Sequence, residues 1–371
     1  MLRSYFAAKT GGAAALAMVL ALHGCSGAAA PVQVGAAGPW SEAFGELNRA
    51  GIELAVEEIN SSGGIRGRPL QVVFRDDGGE GSRAAQIAGE FLQNSDIVAV
   101  IGHVTSGAMM AAARVYDRGL PAVATTASAP DLSGISPWVF RVITSDSANG
   151  ITIARFLAQR GVRRVAVLYE NNPYGRGLAT SFRRSFNGLV ISSDPIPSDP
   201  KASFEPYVSY LKRRGPEAVF VASTNAPGLA LLREARRQRL AALFVGGDGW
   251  SSIVSDTLTA EGVYVATPFT AYDPRAEAQR FVTAFRTKYR RDPDGNAALA
   301  YDATMLLARA IAEAGESRSR IRQWLAGLSA TEPFRGVTGP IRFLPSGDVV
   351  GRGVTMTRVR TGALLVERDG L

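Results

Sequence analysis

The chain has little of what most enzyme chemistry needs. Its 371 residues include a single cysteine, Cys25, and two histidines, His23 and His103. A Cys/His metal site and a cysteine nucleophile are therefore excluded, and no disulfide can close within one copy. Lysine occurs only at positions 9, 201, 212 and 288, so the formal charge of +8 rests almost wholly on arginine. Those arginines fall in scattered pairs such as Arg163-Arg164 and Arg236-Arg237 rather than in a basic stripe interleaved with aromatics, which argues against nucleic-acid binding. No glycine-rich phosphate loop is present. Gly63-Gly64-Ile65-Arg66-Gly67 follows a helical pattern instead of a strand, so it is not a dinucleotide fingerprint. No segment after the N-terminus is long and apolar enough for a membrane-spanning helix.

What is present begins with a leader. Arg3 and Lys9 precede an apolar stretch over 13–22 that is too short to span a bilayer, and Leu22-His23-Gly24-Cys25 follows at once. This resembles a bacterial lipobox. The expectation is a lipoprotein signal peptide over 1–24, acylation of Cys25, a small-residue tether over 25–31, and a body held outside the cytoplasm by lipid alone.

Beyond the tether, short apolar strands alternate with amphipathic helices. Strands are expected at 32–35, 70–74, 97–101, 121–124 and 139–141, with helices over 51–60 and 82–93 between them. The pattern then restarts: helix 151–160, strand 165–169, helix 174–186, helix 204–214, strand 218–221, helix 229–238, strand 243–245. Three further helices over 276–289, 297–314 and 319–328 precede a terminal hairpin formed by 354–359 and 364–366. Two βα series of like length predict an α/β protein with two similar lobes, each a mostly parallel sheet flanked by helices.

In such sheets ligands sit at the carboxyl ends of strands, and here those ends carry polar clusters: Thr105-Ser106, Thr125-Thr126-Ala127-Ser128, Thr224-Asn225 and Gly247-Asp248-Gly249. The stretch Ile101 to Ala108 reads as strand, polar turn and helix start, which offers unpaired N–H groups to an anion. Its Ser106 hydroxyl either caps the helix or meets a ligand carboxylate. Hydroxyls with free N–H groups suit a carboxylate and an isolated acid suits an ammonium, so the set describes a receptor for a zwitterion. Asp76-Asp77 lacks a third carboxylate nearby and is read as a helix cap or an interlobe hydrogen bond. His103 beside Ser106 has no nucleophile-elbow context and is read as shaping the turn.

The ordered series of motifs resembles the Leu/Ile/Val-binding group of ABC-transporter substrate-binding proteins, which have the type I periplasmic binding protein fold. Residues 51–60 with Gly63-Gly64-Ile65-Arg66-Gly67, Asp76-Asp77, Ile101 through Ser106, and Ala127-Ser128-Ala129-Pro130-Asp131-Leu132 carry it. Val139-Phe140-Arg141, Tyr174-Gly175 and Gly339-Pro340-Ile341-Arg342-Phe343 with Gly347-Asp348 continue it. The resemblance implies three hinge crossovers, with one lobe from 32–145 and 269–353 and the other from 146–268 and 354–371. It implies ligand contact by Ser106 and Ser128 at the carboxylate, by the Ala127 carbonyl and Asp248 at the ammonium, and by Phe44 and Tyr174 at the side chain. Thr224-Asn225 stands where relatives that bind leucine place an aromatic, so a small or polar amino acid or an amide is as fitting as leucine. The function implied is not enzymatic, with no cofactor: a receptor delivering an amino acid or similar small polar ligand to ABC permease subunits. A ligand-sensing or envelope-scaffolding lipoprotein of the same fold is the alternative.

Overall fold

A computed structural model describes residues 30–328, 333–351 and 353–367. The leader and Cys25, and with them the expected lipidation, lie outside the described residues. Five parallel strands form the first sheet: β1 (Val32–Gly38), β2 (Leu70–Asp76), β3 (Ile97–Gly102), β4 (Ala122–Ala124) and β5 (Val139–Arg141), in the order β2-β1-β3-β4-β5. β3 is buried at every residue, as a strand covered on both faces must be. Helices α1 (Ala43–Ser61), α2 (Gly81–Gln93) and α3 (Ser106–Tyr116) connect these strands.

The chain then crosses to the second lobe through α4 (Asp146–Gln159), β6 (Arg164–Glu170), α5 (Pro173–Ser185), β7 (Leu189–Ile196), α6 (Glu205–Arg214), β8 (Ala218–Ala222), α7 (Asn225–Arg237), β9 (Leu243–Gly246), α8 (Thr257–Ala260) and β10 (Tyr264–Thr267). It returns with α9 (Ala276–Tyr289), α10 (Gly295–Ala314), α11 (Arg318–Gly327) and the small ladder β11 (Phe334–Gly336) and β12 (Gly339–Ile341). A last crossing ends in the hairpin β13 (Thr355–Arg360) and β14 (Ala363–Val366). The second sheet runs β14-β13-β10-β9-β8-β6-β7, parallel from β7 to β10 and antiparallel in the hairpin. The two expected lobes are present, and the chain passes between them three times among the described residues.

α10 packs along α1 over the first sheet, joining Leu299, Leu306 and Ile311 to Val34, Ile52 and Ile101 in one apolar core. At Gly51 the two helices touch backbone to backbone, since a β-carbon there would lie 2.1 Å from the Ala297 carbonyl oxygen. The helix expected at 51–60 starts a full two turns earlier, at Ala43, which puts Phe44 in its first turn. Strand β7 was not anticipated. It is a half-exposed edge strand carrying Ser192, Ser193, Asp194 and Pro195, and that polar composition hides the alternation.

Candidate functional site

A cavity of about 220 Å³ lies between the lobes at the carboxyl ends of the strands. The first lobe lines it with Phe44, Gly79, Val104, Thr105, Ser106, Gly107, Thr126 and Asn296, and the second with Asn172, Pro173, Tyr174, Thr224, Asp248 and Gly249. Of the residues expected at the site, Ser106, Asp248, Phe44, Tyr174 and Thr224 are therefore brought together. The sequence marks Thr105 only as a member of a strand-end cluster, and it singles out neither Asn172 nor Asn296.

Ser106 does not cap its helix. Thr105 does, its hydroxyl accepting from the Ala108 N–H at 3.4 Å, and Ser106 is the first residue of α3. The Ser106 oxygen instead accepts two N–H bonds, from Ser128 at 3.2 Å and from Ala129 at 3.1 Å. Its own proton finds no acceptor among the described residues, nor do the N–H groups of Ser106 and Gly107 at the helix start. Three donors thus converge where the helix dipole is positive, which is the environment an anion needs.

Ala127 and Ser128 are fully buried and stand behind the cavity wall rather than in it. The Ser128 N–H is engaged by Ser106, and its hydroxyl bonds Asp146 Oδ2 at 3.0 Å, so neither donor points at the cavity. Asp146 is a buried acid that the sequence reading missed, because an acid at a helix start ordinarily only answers the dipole. It also accepts from Asn149 at 3.2 Å. Burial and the Asp248 carboxylate push Asp146 well above the usual carboxylate range.

On the opposite wall Asp248 Oδ1 accepts from the Tyr174 hydroxyl at 3.2 Å, and that hydroxyl oxygen accepts from the Gly249 N–H at 3.0 Å. Burial raises the Asp248 carboxyl to about 6. Burial and the two acids raise Tyr174 as well, so its phenol stays a donor. The Tyr174 hydroxyl and the backbone N–H groups of Asp248 and Gly249 lower the acid only in part against burial, and a ligand cation would supply the missing opposite charge.

Asp77 is neither a helix cap nor an interlobe contact. It bonds His103 Nδ1 at 2.6 Å and the Gly79 N–H at 2.8 Å, while His103 Nε2 meets the Tyr116 hydroxyl at 2.9 Å. Asp77, His103 and Tyr116 are fully buried beneath the site and tie the Gly79 loop to the turn that carries Ser106. Among the described residues no group of three or more His, Cys, Asp or Glu side chains could hold a metal ion, and no helix is long and apolar enough to cross a membrane.

The lobes touch beside the cavity. A β-carbon at Gly177 in α5 would lie 2.6 Å from Pro130 Cδ in the first lobe, and one at Gly107 would lie 3.7 Å from Pro173. The Ser252 hydroxyl also donates across the cleft to Asp294 Oδ2 at 2.5 Å. This is a closed arrangement over an interior site.

Known proteins share this architecture. The chain is 29% identical over 333 residues to a leucine-, isoleucine-, valine-, threonine- and alanine-binding protein of Pseudomonas aeruginosa, covering 87% of this chain and 88% of that one. An ABC transporter substrate-binding protein of Desulfitobacterium hafniense, solved in complex with Leu, is 31% identical with a TM-score of 0.79, covering 91% of this chain and all of that one. A branched-chain amino acid transporter substrate-binding protein of Streptococcus pneumoniae, solved with isoleucine, is 27% identical with a TM-score of 0.85, covering 91% of this chain and 99% of that one. The family model for periplasmic binding proteins matches residues 31–363. With the fold, the interlobe cavity and this match in agreement, the chain belongs to the periplasmic binding protein family, whose members are solute receptors and not enzymes.

Proposed function

We propose that the protein binds a free amino acid between its lobes outside the cytoplasm and delivers it to ABC permease subunits, with Cys25 as its lipid anchor. The observation that carries the reading is the pairing of opposite chemistries across one cavity: the converging donors of Ser106 and Gly107 on one lobe, and the buried Asp248 on the other. The ligand carboxylate takes the N–H groups of Ser106 and Gly107 and the Ser106 hydroxyl. The ammonium takes Asp248, while Phe44 and the Tyr174 ring cover the carbon skeleton. Ser128 acts from behind, holding Ser106 through its N–H together with the Ala129 N–H and holding Asp146 through its hydroxyl. Because the ligand touches both lobes, it favours the closed form over the open one as a population shift. The names of the relatives, which bind leucine, isoleucine and other amino acids, support the same solute class.

A thermal-shift screen of the chain from residue 30 onward against the free amino acids tests this. A specific ligand at about 100 times its Kd stabilises by about 2.7 kcal/mol, enough to raise the melting temperature by several degrees. If no free amino acid moves the melting temperature, the reading is wrong.

A further inference from the structure

We infer that the solute's side chain is itself a hydrogen-bonding group, an amide or a hydroxyl, because three polar residues that line the cavity each keep a side-chain atom without a partner among the described residues. This rests on the amino-acid reading above and sharpens it. Asn172 Oδ1 accepts from the Gly175 N–H at 2.9 Å, which fixes the amide and leaves Nδ2 with no acceptor among the described residues. Asn296 Nδ2 donates to Asp294 Oδ2 at 2.8 Å, which leaves Oδ1 with no donor among the described residues. The Thr224 N–H is taken by Glu170 at 2.5 Å, yet its hydroxyl makes no cap bond to α7 and meets no other described residue.

The three residues line one cavity, and the chemistry of these atoms is complementary: one donor, one acceptor, and one group that can be either. A primary amide offers both a donor and an acceptor, and a hydroxyl does the same. A branched aliphatic side chain would cover these atoms without replacing the water it expelled, so each would become a buried group without a partner. Phe44, Val104 and Pro173 remain to cover the methylene or methyl carbons of the ligand. Thr224 is the natural discriminator, since β8 lies between β6 and β9 and sets it between the Asn172 and Asp248 strand ends.

Isosteric pairs test the inference directly. Calorimetric titration with L-threonine against L-valine, and with L-asparagine against L-leucine, changes hydrogen-bonding capacity at nearly constant shape. The polar member of at least one pair should bind about tenfold or more tightly than its aliphatic isostere. Thr224→Val should bring that ratio down by about fivefold or more while the melting temperature of the ligand-free protein is retained. Valine and leucine binding within about twofold of their polar isosteres, or more tightly, would overturn the inference and leave the amino-acid reading standing. Heat from none of the four would count against both.

Discussion

Asp248 is where stability and function oppose each other. Its carboxyl sits at about 6 in the folded protein, above the ~3.9 of an unfolded chain, so the ionised form is penalised by folding. The sign follows from proton linkage: its contribution is fully favourable below about pH 4 and is lost as pH rises through 6. Asp248→Asn should accordingly raise the stability of the ligand-free protein at pH 7.5 by about 2 kcal/mol while weakening ligand binding. The ligand ammonium needs the ionised acid, so wild-type affinity should be flat above about pH 6 and fall by up to about tenfold per unit below it. Titrations from pH 5 to 8 and paired melting curves check both halves; an affinity unchanged between pH 7 and 5 would remove Asp248 from the ammonium site. His103 should behave in the opposite way. His103→Ala leaves the buried Asp77 carboxylate and Tyr116 hydroxyl short of a partner, and the cost should be about 3 kcal/mol of stability, read by denaturant melts.

At the scale of elements, α3 and α5 face each other across the mouth of the cavity, and small residues allow the approach. Gly177 is the tightest point, because a side chain there meets Pro130 of the other lobe. Gly177→Val should hold the lobes apart: the overpacking cost of about 1–3 kcal/mol falls on the closed form and should weaken ligand binding by about fivefold to a hundredfold. Small-angle scattering with ligand present should show a larger radius of gyration than wild type; wild-type affinity and radius would mean the contact is not a condition of closure. Much at this scale was legible in the sequence. The β-branched runs of β3, β6 and β8 mark them as buried strands, and the polar residues just past strand ends mark the binding edge. Other features were not. The early start of α1 is hidden by the glycines at 45 and 51, which are chosen for close approach to Pro39 and Ala297 rather than for helix propensity. Ser106 could not be told from a cap, since Thr105 beside it is an equally good one. That Ser128 turns its hydroxyl away from the cavity depends on Asp146, which is 18 residues on and belongs to the crossing between lobes.

Over the whole molecule, two sheets joined by three crossings bring the ends of β3 and β9 into one cavity, although Ser106 and Asp248 are far apart in sequence. The sequence patterns foretold two lobes. They could not say which residues lie in the wall and which behind it, because that is settled by how the two lobes meet. Arg141, at the end of the first sheet, shows the dependence: it binds Asp348 and the Ala129 carbonyl together, so the last crossing braces the loop that holds Ser106. The central claim is that one solute spans Ser106 and Asp248. Isothermal titration of the wild type, Ser106→Ala and Asp248→Asn with the amino acid found by thermal shift tests it most directly. The account predicts one site per chain and a loss of about 1.5–3 kcal/mol of binding free energy in each variant; unchanged affinity in both would contradict it.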